Sequence, residues 1–230
     1  MAVKGNFMAM AAYIAHTKGE YDKAMQLYEE AVKSGMNNIK YIHSYGVLLM
    51  QRGYFEKAID MFGEALKLMP DQTSRYNIRL DRAIAYIRCN DMKKAQAALE
   101  DLHNAKRSLR VYQTLGYYYI LTGNDEMAVK YNNEALDYSP EDPIILDNMC
   151  QYCINHDNFE DAEYFAKKAY ENRQDQVNIL YHLAIISEHY GRISEALKYI
   201  EEAKTAKINA TNDLSVEKLN EAEQRIKSKL

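Results

Sequence analysis

Tryptophan is absent from this 230-residue chain, and proline (three) and glycine (nine) are scarce. Average usage is roughly 5% for proline and 7% for glycine, so the chain lacks the turn formers that a sandwich or barrel requires. Three cysteines, an odd number, cannot make a disulfide framework and fit a reducing compartment. No run approaches the roughly 18 uninterrupted apolar residues of a membrane span. The first twenty residues also lack the continuous apolar region and small-residue cleavage site of a secretory signal. The expected location is therefore cytoplasmic, or the soluble part of a membrane-tethered assembly whose anchor would lie upstream. A net charge of −4 argues against general binding of nucleic acid or of an anionic membrane. With 47% apolar and 27% charged residues, the chain has the composition of a packed protein, and tyrosine is abundant at 20.

The chain repeats itself. KGEYDKAMQLYEEAV aligns with RGYFEKAIDMFGEAL, and Gly19 and Gly53, Ala24 and Ala58, Tyr28 and Phe62, and Ala31 and Ala65 all lie 34 residues apart. The frame continues through CNDMKKAQAALEDLH, TGNDEMAVKYNNEAL, HDNFEDAEYFAKKAY and YGRISEALKYIEEAK. Its marker alanines are Ala24, Ala58, Ala95, Ala128, Ala162 and Ala196, with spacings of 34, 37, 33, 34 and 34. Self-similarity at such a period signals stacked supersecondary units.

Each copy reads as a helical hairpin. Ile42, Tyr45, Gly46 and Leu49 follow helical spacing before the turn glycine, and Phe55, Ala58, Ile59, Phe62, Ala65 and Leu66 follow it afterwards. Gly19, Gly53, Gly123 and Gly191 sit at equivalent turns, where a left-handed residue ends the first helix. Small residues at Gly46, Ala83, Gly116, Cys150 and Ala184 permit close helix approach, and Pro70 and Pro140 fall just beyond second helices. No hairpin can bury its apolar face alone, so stability must come from stacking. Leu214, Leu219, Ala222 and Ile226 form a last apolar stripe, with Asp213 as the expected N-cap.

These residues resemble the tetratricopeptide repeat family. The second copy matches with Tyr45-Gly46, Gly53, Ala58, Phe62, Ala65 and Pro70; the fourth matches with Tyr112, Leu115-Gly116, Tyr119, Gly123, Ala128, Ala135 and Pro140. The third departs most, with Arg79 and Arg82 at slots that are usually apolar and three extra residues before it. The resemblance implies an all-α, right-handed superhelical solenoid of six helix-turn-helix hairpins with a concave face lined by first helices. The repeats run over approximately 5–38, 39–72, 76–108, 109–142, 143–176 and 177–210; residues 1–211 form the array and 212–230 a capping helix.

Chemistry is sparse. Cys150 and Cys153, with His156 three residues on, suggest a redox or metal motif, but both cysteines occupy small packing slots and no second pair exists. The six histidines, His16, His43, His103, His156, His182 and His189, are dispersed over the copies. Phosphate-binding, dinucleotide, nucleophile-elbow and metalloprotease motifs are missing. No catalytic residue, metal or cofactor is expected.

Binding to another protein is the function the resemblance implies. Its frame places Tyr13, His43, Val47, Met50, Ile84, Arg88, Arg110, Gln113, Tyr117, Asn148, Gln151, Ile154, Tyr181, His182 and Ile185 on the inner wall. Tyr13, Tyr117 and Tyr181 are the expected aromatic anchors, since tyrosine combines a large apolar ring with a polar tip. The Lys/Asn/Arg clamp that some relatives use for C-terminal carboxylates is missing, because Ala9, Tyr13, Ser44, Asn77 and Asp81 occupy its slots. An apolar or amphipathic peptide or helix is the expected ligand. Charge is polarised: residues 72–111 hold nine Lys/Arg and four acids, and residues 124–175 hold four Lys/Arg and 13 acids. The alternative expectation is a self-assembling or envelope-complex component that uses this polarity, with homo-oligomers as its product.

Overall fold

The computed structural model describes residues 2–68, 72–173, 175–206 and 214–230. Among them, every regular element is an α-helix. The chain divides into two units, Met1–Ala105 and Lys106–Leu230. The first contains α1 (Ala2–Thr17), α2 (Tyr21–Lys33), α3 (Ile39–Gln51), α4 (Phe55–Leu68), α5 (Gln72–Arg88) and α6 (Met92–Ala105). The second contains α7 (Leu109–Leu121), α8 (Asp125–Tyr138), α9 (Pro143–Asn155), α10 (Phe159–Asn172), α11 (Val177–His189), α12 (Ile193–Thr205) and α13 (Val216–Lys227). No helix among the described residues is long and apolar enough to cross a membrane.

Within each unit, odd-numbered first helices pack on their own second helices and on one another. In the first unit α1 meets α3 and α3 meets α5; in the second, α7 meets α9 and α9 meets α11. Second helices bury one narrow stripe, such as Ala24, Tyr28 and Ala31 in α2 or Ala58, Phe62 and Ala65 in α4. The spacing of four and three keeps those side chains on one face. Close approach within a hairpin depends on missing side-chain atoms. A Cβ on Gly46 would stand 2.5 Å from the Phe62 ring, and one on Gly116 would stand 2.3 Å from Asn132 Oδ1.

The six hairpin turns share one geometry. Tyr54 N–H donates to the Leu49 carbonyl at 2.8 Å and Gly53 N–H to Met50 at 3.1 Å, the paired bonds of a Schellman motif. Its left-handed residue is Gly19, Gly53, Gly123 and Gly191 in four copies, but Asn90 (φ 59°) and Asp157 (φ 56°) in the other two. Asn and Asp are the side chains that best tolerate this conformation. The turn is therefore present in all six copies, including the two that lack glycine. The three extra residues before the third copy are absorbed by a longer helix, since α5 has 17 residues where α3 has 13. Arg79 there pairs with Asp101, and the Arg82 guanidinium lies 5.4 Å from the Tyr86 ring centroid.

Pro143 opens α9 behind its N-cap Asp142, whose carboxylate accepts from the Ile144 and Ile145 amides. Pro70 and Asp213 lie outside the described residues. The cap of α13 is Ser215 rather than Asp213, with Ser215 Oγ accepting from Lys218 N–H at 3.3 Å. Leu219, Ala222 and Ile226 of α13 join Ala196, Ile200 and Ala203 of α12 in one core cluster. Each buried Leu or Ile there contributes roughly 2 kcal/mol. Glu188 fastens the other side: Arg225 donates to it through Nε at 3.1 Å and Nη2 at 2.7 Å, and Lys229 Nζ lies 2.7 Å away.

The turn geometry yields a paired prediction. Gly53→Ala should cost about 1–2 kcal/mol, because a Cβ is forced into the left-handed region. Asp157→Gly should stabilise by up to about 1 kcal/mol for the converse reason. Urea unfolding of the two variants checks both signs.

Candidate binding site on the first helices

Stacking first helices side by side brings particular slots together. Counting from the small residue of each copy, the side chain three positions before it meets the one two positions before it in the next copy. His43 of α3 thus reaches Asp81 of α5, with Nε2 2.7 Å from Oδ2. Asp147 of α9 accepts from His182 Nδ1 of α11 at 2.7 Å. Between α7 and α9 the same slots hold Gln113 and Asn148, and Asn148 Nδ2 donates to the Gln113 carbonyl at 2.9 Å. That amide also donates to Asn132 Oδ1 at 3.1 Å, while Asn132 Nδ2 donates to the Ala128 carbonyl, so the buried amides of α8 and α9 satisfy one another. This polar ladder was not anticipated from the sequence. Its signal is a spacing of 35 to 38 between complementary polar residues.

The candidate wall residues separate into three groups. Met50, Ile84, Asn148 and His182 are buried, which corrects their expected place on an open wall. Ile84 and Met50 go to the core because apolar side chains at those slots pack between neighbouring helices, and Asn148 and His182 go to the ladder. Tyr13, His43, Val47 and Arg88 of the first unit are half-buried. Three of these have aromatic or cationic neighbours: Lys40 Nζ stands 4.2 Å over the Tyr13 ring, the His43 ring lies 5.7 Å from the Phe62 ring, and the Arg88 guanidinium lies 4.9 Å from the Phe55 ring. In the second unit Gln113, Tyr117, Gln151, Ile154, Tyr181 and Ile185 are half-buried and Arg110 is exposed. Gln113 Nε2 donates to Asp142 Oδ1 at 2.9 Å, which holds it against the start of α9.

Three of these residues converge. Gln151 of α9 and Tyr181 and His182 of α11 line a cleft of about 320 Å³, with Asn178 beside them. Its opposite wall is α13, through Leu214 just before the helix and Lys218, Glu221, Ala222 and Arg225. The terminal helix is therefore part of the cleft as well as a cover for α12, a role that its apolar stripe did not reveal. Asn178 Oδ1 is buried and has no hydrogen-bond partner among the described residues.

The cysteine and histidine motif serves packing. Cys150 and Cys153 lie in the cluster formed with Ala162, Ala166 and Ala169. Burial pushes the Cys153 thiol up to about 11, far from the thiolate that nucleophilic or ligating chemistry needs. His156 Nδ1 donates to the Tyr152 carbonyl at 2.8 Å and Nε2 meets Asp125 at 3.1 Å, so the imidazole closes a helix end. Among the described residues no group of three or more His, Cys, Asp and Glu is placed to hold a metal ion.

His182 has a consequence for pH. Burial alone would favour the neutral imidazole, but the Asp147 carboxylate and the Cys150 contact hold its pKa well above the ordinary value. A raised folded-state pKa stabilises fully below the unfolded value of about 6.5 and is lost as pH rises through the folded value. The stability lead of the natural chain over His182→Gln should shrink by about 1 kcal/mol or more between pH 6 and pH 9. Urea midpoints at the two pH values measure it; a pH-independent gap would contradict it.

Comparison with known proteins agrees with this architecture. Tetratricopeptide repeat models match residues 49–116, and residues 6–34 and 109–142. No curated protein sequence matches significantly. A tetratricopeptide repeat protein of Parabacteroides merdae superposes with a TM-score of 0.82 at 15% identity, over 96% of this chain and 83% of that one. A thermophilic tetratricopeptide protein of Thermus thermophilus gives 0.67 at 20% identity, over 84% and 98%. PilW, a type IV pilus biogenesis factor, gives 0.65 at 19% identity, over 87% and 92%. At these identities the likeness establishes a shared fold. Together the matched segments and the shared hairpin architecture assign the chain to the tetratricopeptide repeat family.

Proposed function

We propose that this chain is a non-enzymatic protein-interaction module whose cleft between α9, α11 and α13 takes a short peptide or helical segment of another protein. The repeat family typically serves to bind other proteins. The observation that carries the reading is the buried Asn178 Oδ1, without a donor among the described residues, in a cleft already bounded by Gln151 and Tyr181. A buried acceptor without a donor costs about 1–3 kcal/mol, and a peptide N–H would relieve that cost. Tyr181 supplies an apolar ring with a polar tip, the combination that anchors peptides well.

The lining also selects. On the α13 wall Lys218 and Arg225 outnumber the one acid, Glu221, and the His182 imidazole lies on the opposite wall. Arg225 is largely neutralised by Glu188, so Lys218 is the main cation offered to a ligand. A segment with an apolar residue beside a carboxylate satisfies both features, without the three-residue clamp that the sequence lacks.

Peptides selected from a random display library on the folded chain provide the test. Tyr181→Ala should weaken their binding at least about tenfold, roughly 1.4 kcal/mol. Tyr117→Ala, on α7 outside the cleft, and Tyr164→Ala, an exposed tyrosine on α10, should each leave it unchanged. Far-ultraviolet circular dichroism should be the same for all three. Equal affinity of the Tyr181 variant and the natural chain would refute the assignment.

A further inference from the structure

Arg82 of α5 occupies a slot that other copies keep apolar. It stands one position before the small residue Ala83. In the second, fourth, fifth and sixth copies that slot holds Tyr45, Leu115, Met149 and Leu183, all buried. Arg82 is half-buried. Its Nε is buried without a hydrogen-bond partner among the described residues, and no carboxylate among them forms an ion pair with it. A guanidinium keeps its charge, and a cation drawn out of water without a partner is costly. Arg79, also at a slot that is usually apolar, is by contrast matched by Asp101.

The facing helix leaves space in front of this cation. Five residues after their marker alanines, the other second helices carry Glu29, Glu100, Asn133, Lys167 and Glu201, but α4 carries Gly63. Glycine weakens a helix interior, so its place there calls for a reason. A Cβ on Gly63 would stand 3.6 Å from Arg82 Nη2, and a longer side chain would meet the guanidinium itself. With glycine, a cleft of about 670 Å³ stays open between α4 and α5, lined also by Arg75, Met61 and Leu66. The two acids that border it, Asp60 and Glu64, are exposed, and Lys67 holds Glu64 at 2.6 Å.

We propose that this cleft binds an acidic peptide segment, with one Asp or Glu carboxylate seated on the Arg82 guanidinium and apolar side chains beside Met61 and Leu66. A carboxylate matches the planar guanidinium fork with two parallel N–H···O bonds. A phosphate dianion is a poorer match, because Asp60 and Glu64 repel a double charge more than a single one. The cleft has more room than one carboxylate fills and suits several residues of a peptide. Its surroundings attract negative charge, since residues 72–111 hold nine Lys/Arg against four acids. The site lies within the first unit and shares no residue with the cleft of α9, α11 and α13.

The test is fluorescence anisotropy of the full chain with a labelled, end-blocked peptide in which one glutamate is flanked by leucines. Saturable binding is expected. Arg82→Leu, which matches Leu115 and Leu183 at the same slot, should weaken it at least about tenfold while keeping or raising the urea midpoint. Gly63→Glu brings a carboxylate to Arg82 from within the chain and should weaken binding by a similar factor. Glutamine in place of the peptide's glutamate should do the same, and Tyr181→Ala should have no effect. Absence of binding to the natural chain, or equal binding by the Arg82 variant, would overturn the proposal. So would Arg82-dependent binding of inorganic phosphate or of an oligouridine with the glutamate peptide left unbound, which would make this a phosphate site.

Discussion

The close approach of the two helices within a hairpin is the constraint on which the rest of this structure depends. At Gly46 and Gly116 there is no room for even one further carbon, because the Phe62 ring and the Asn132 amide occupy the place where it would stand. That approach keeps the buried stripe of the second helices narrow, with Ala, one larger residue and Ala in α2, α4 and α12. Burying so thin a stripe yields little on its own. Each hairpin therefore depends on its neighbour, and stability approximates a sum over copies and their junctions. Within each unit the first helices, held side by side by these junctions, then present their remaining side chains in register.

Much of this was legible in the sequence, and the reasons are physical. Ala, Gly and aromatic residues recur at fixed spacing because close packing tolerates few alternatives at those slots. The hairpins, the extra length before α5 and the terminal helix could all be inferred in this way. Asn90 and Asp157 were less legible because they replace glycine with side chains that hold the same left-handed turn for a different reason. The binding surface was harder still. Met50 and His182 occupy slots that match the wall frame, but whether such a side chain faces solvent depends on its neighbour in the next copy. His182 is drawn inward by Asp147, a partner 35 residues away that no local pattern reveals.

Electrostatics act mainly at short range. The acidic stretch from 124 to 175 is partly neutralised where it lies: Asp125 meets His156, and Glu163 meets both Lys167 and Arg192. In the basic stretch, Arg79 meets Asp101 and Lys94 meets Asp91. Exposed pairs of this kind contribute little to stability. Most of them join charges within one stretch and leave its net charge unchanged; Arg192 alone brings a cation to the acidic stretch from outside. The more consequential polar groups are the buried ones, the ladder between first helices and the Glu188 contacts that fix α13.

By fastening α13 beside α11, those contacts form the cleft at the centre of this account, and amide hydrogen exchange of the full chain with a library-selected peptide tests it most directly. The account predicts added protection in the 148–154, 178–185 and 214–225 segments, where Gln151, Asn178, Tyr181 and Arg225 line the cleft. Protection confined to α8, α10 and α12, with those three segments unchanged, would contradict it.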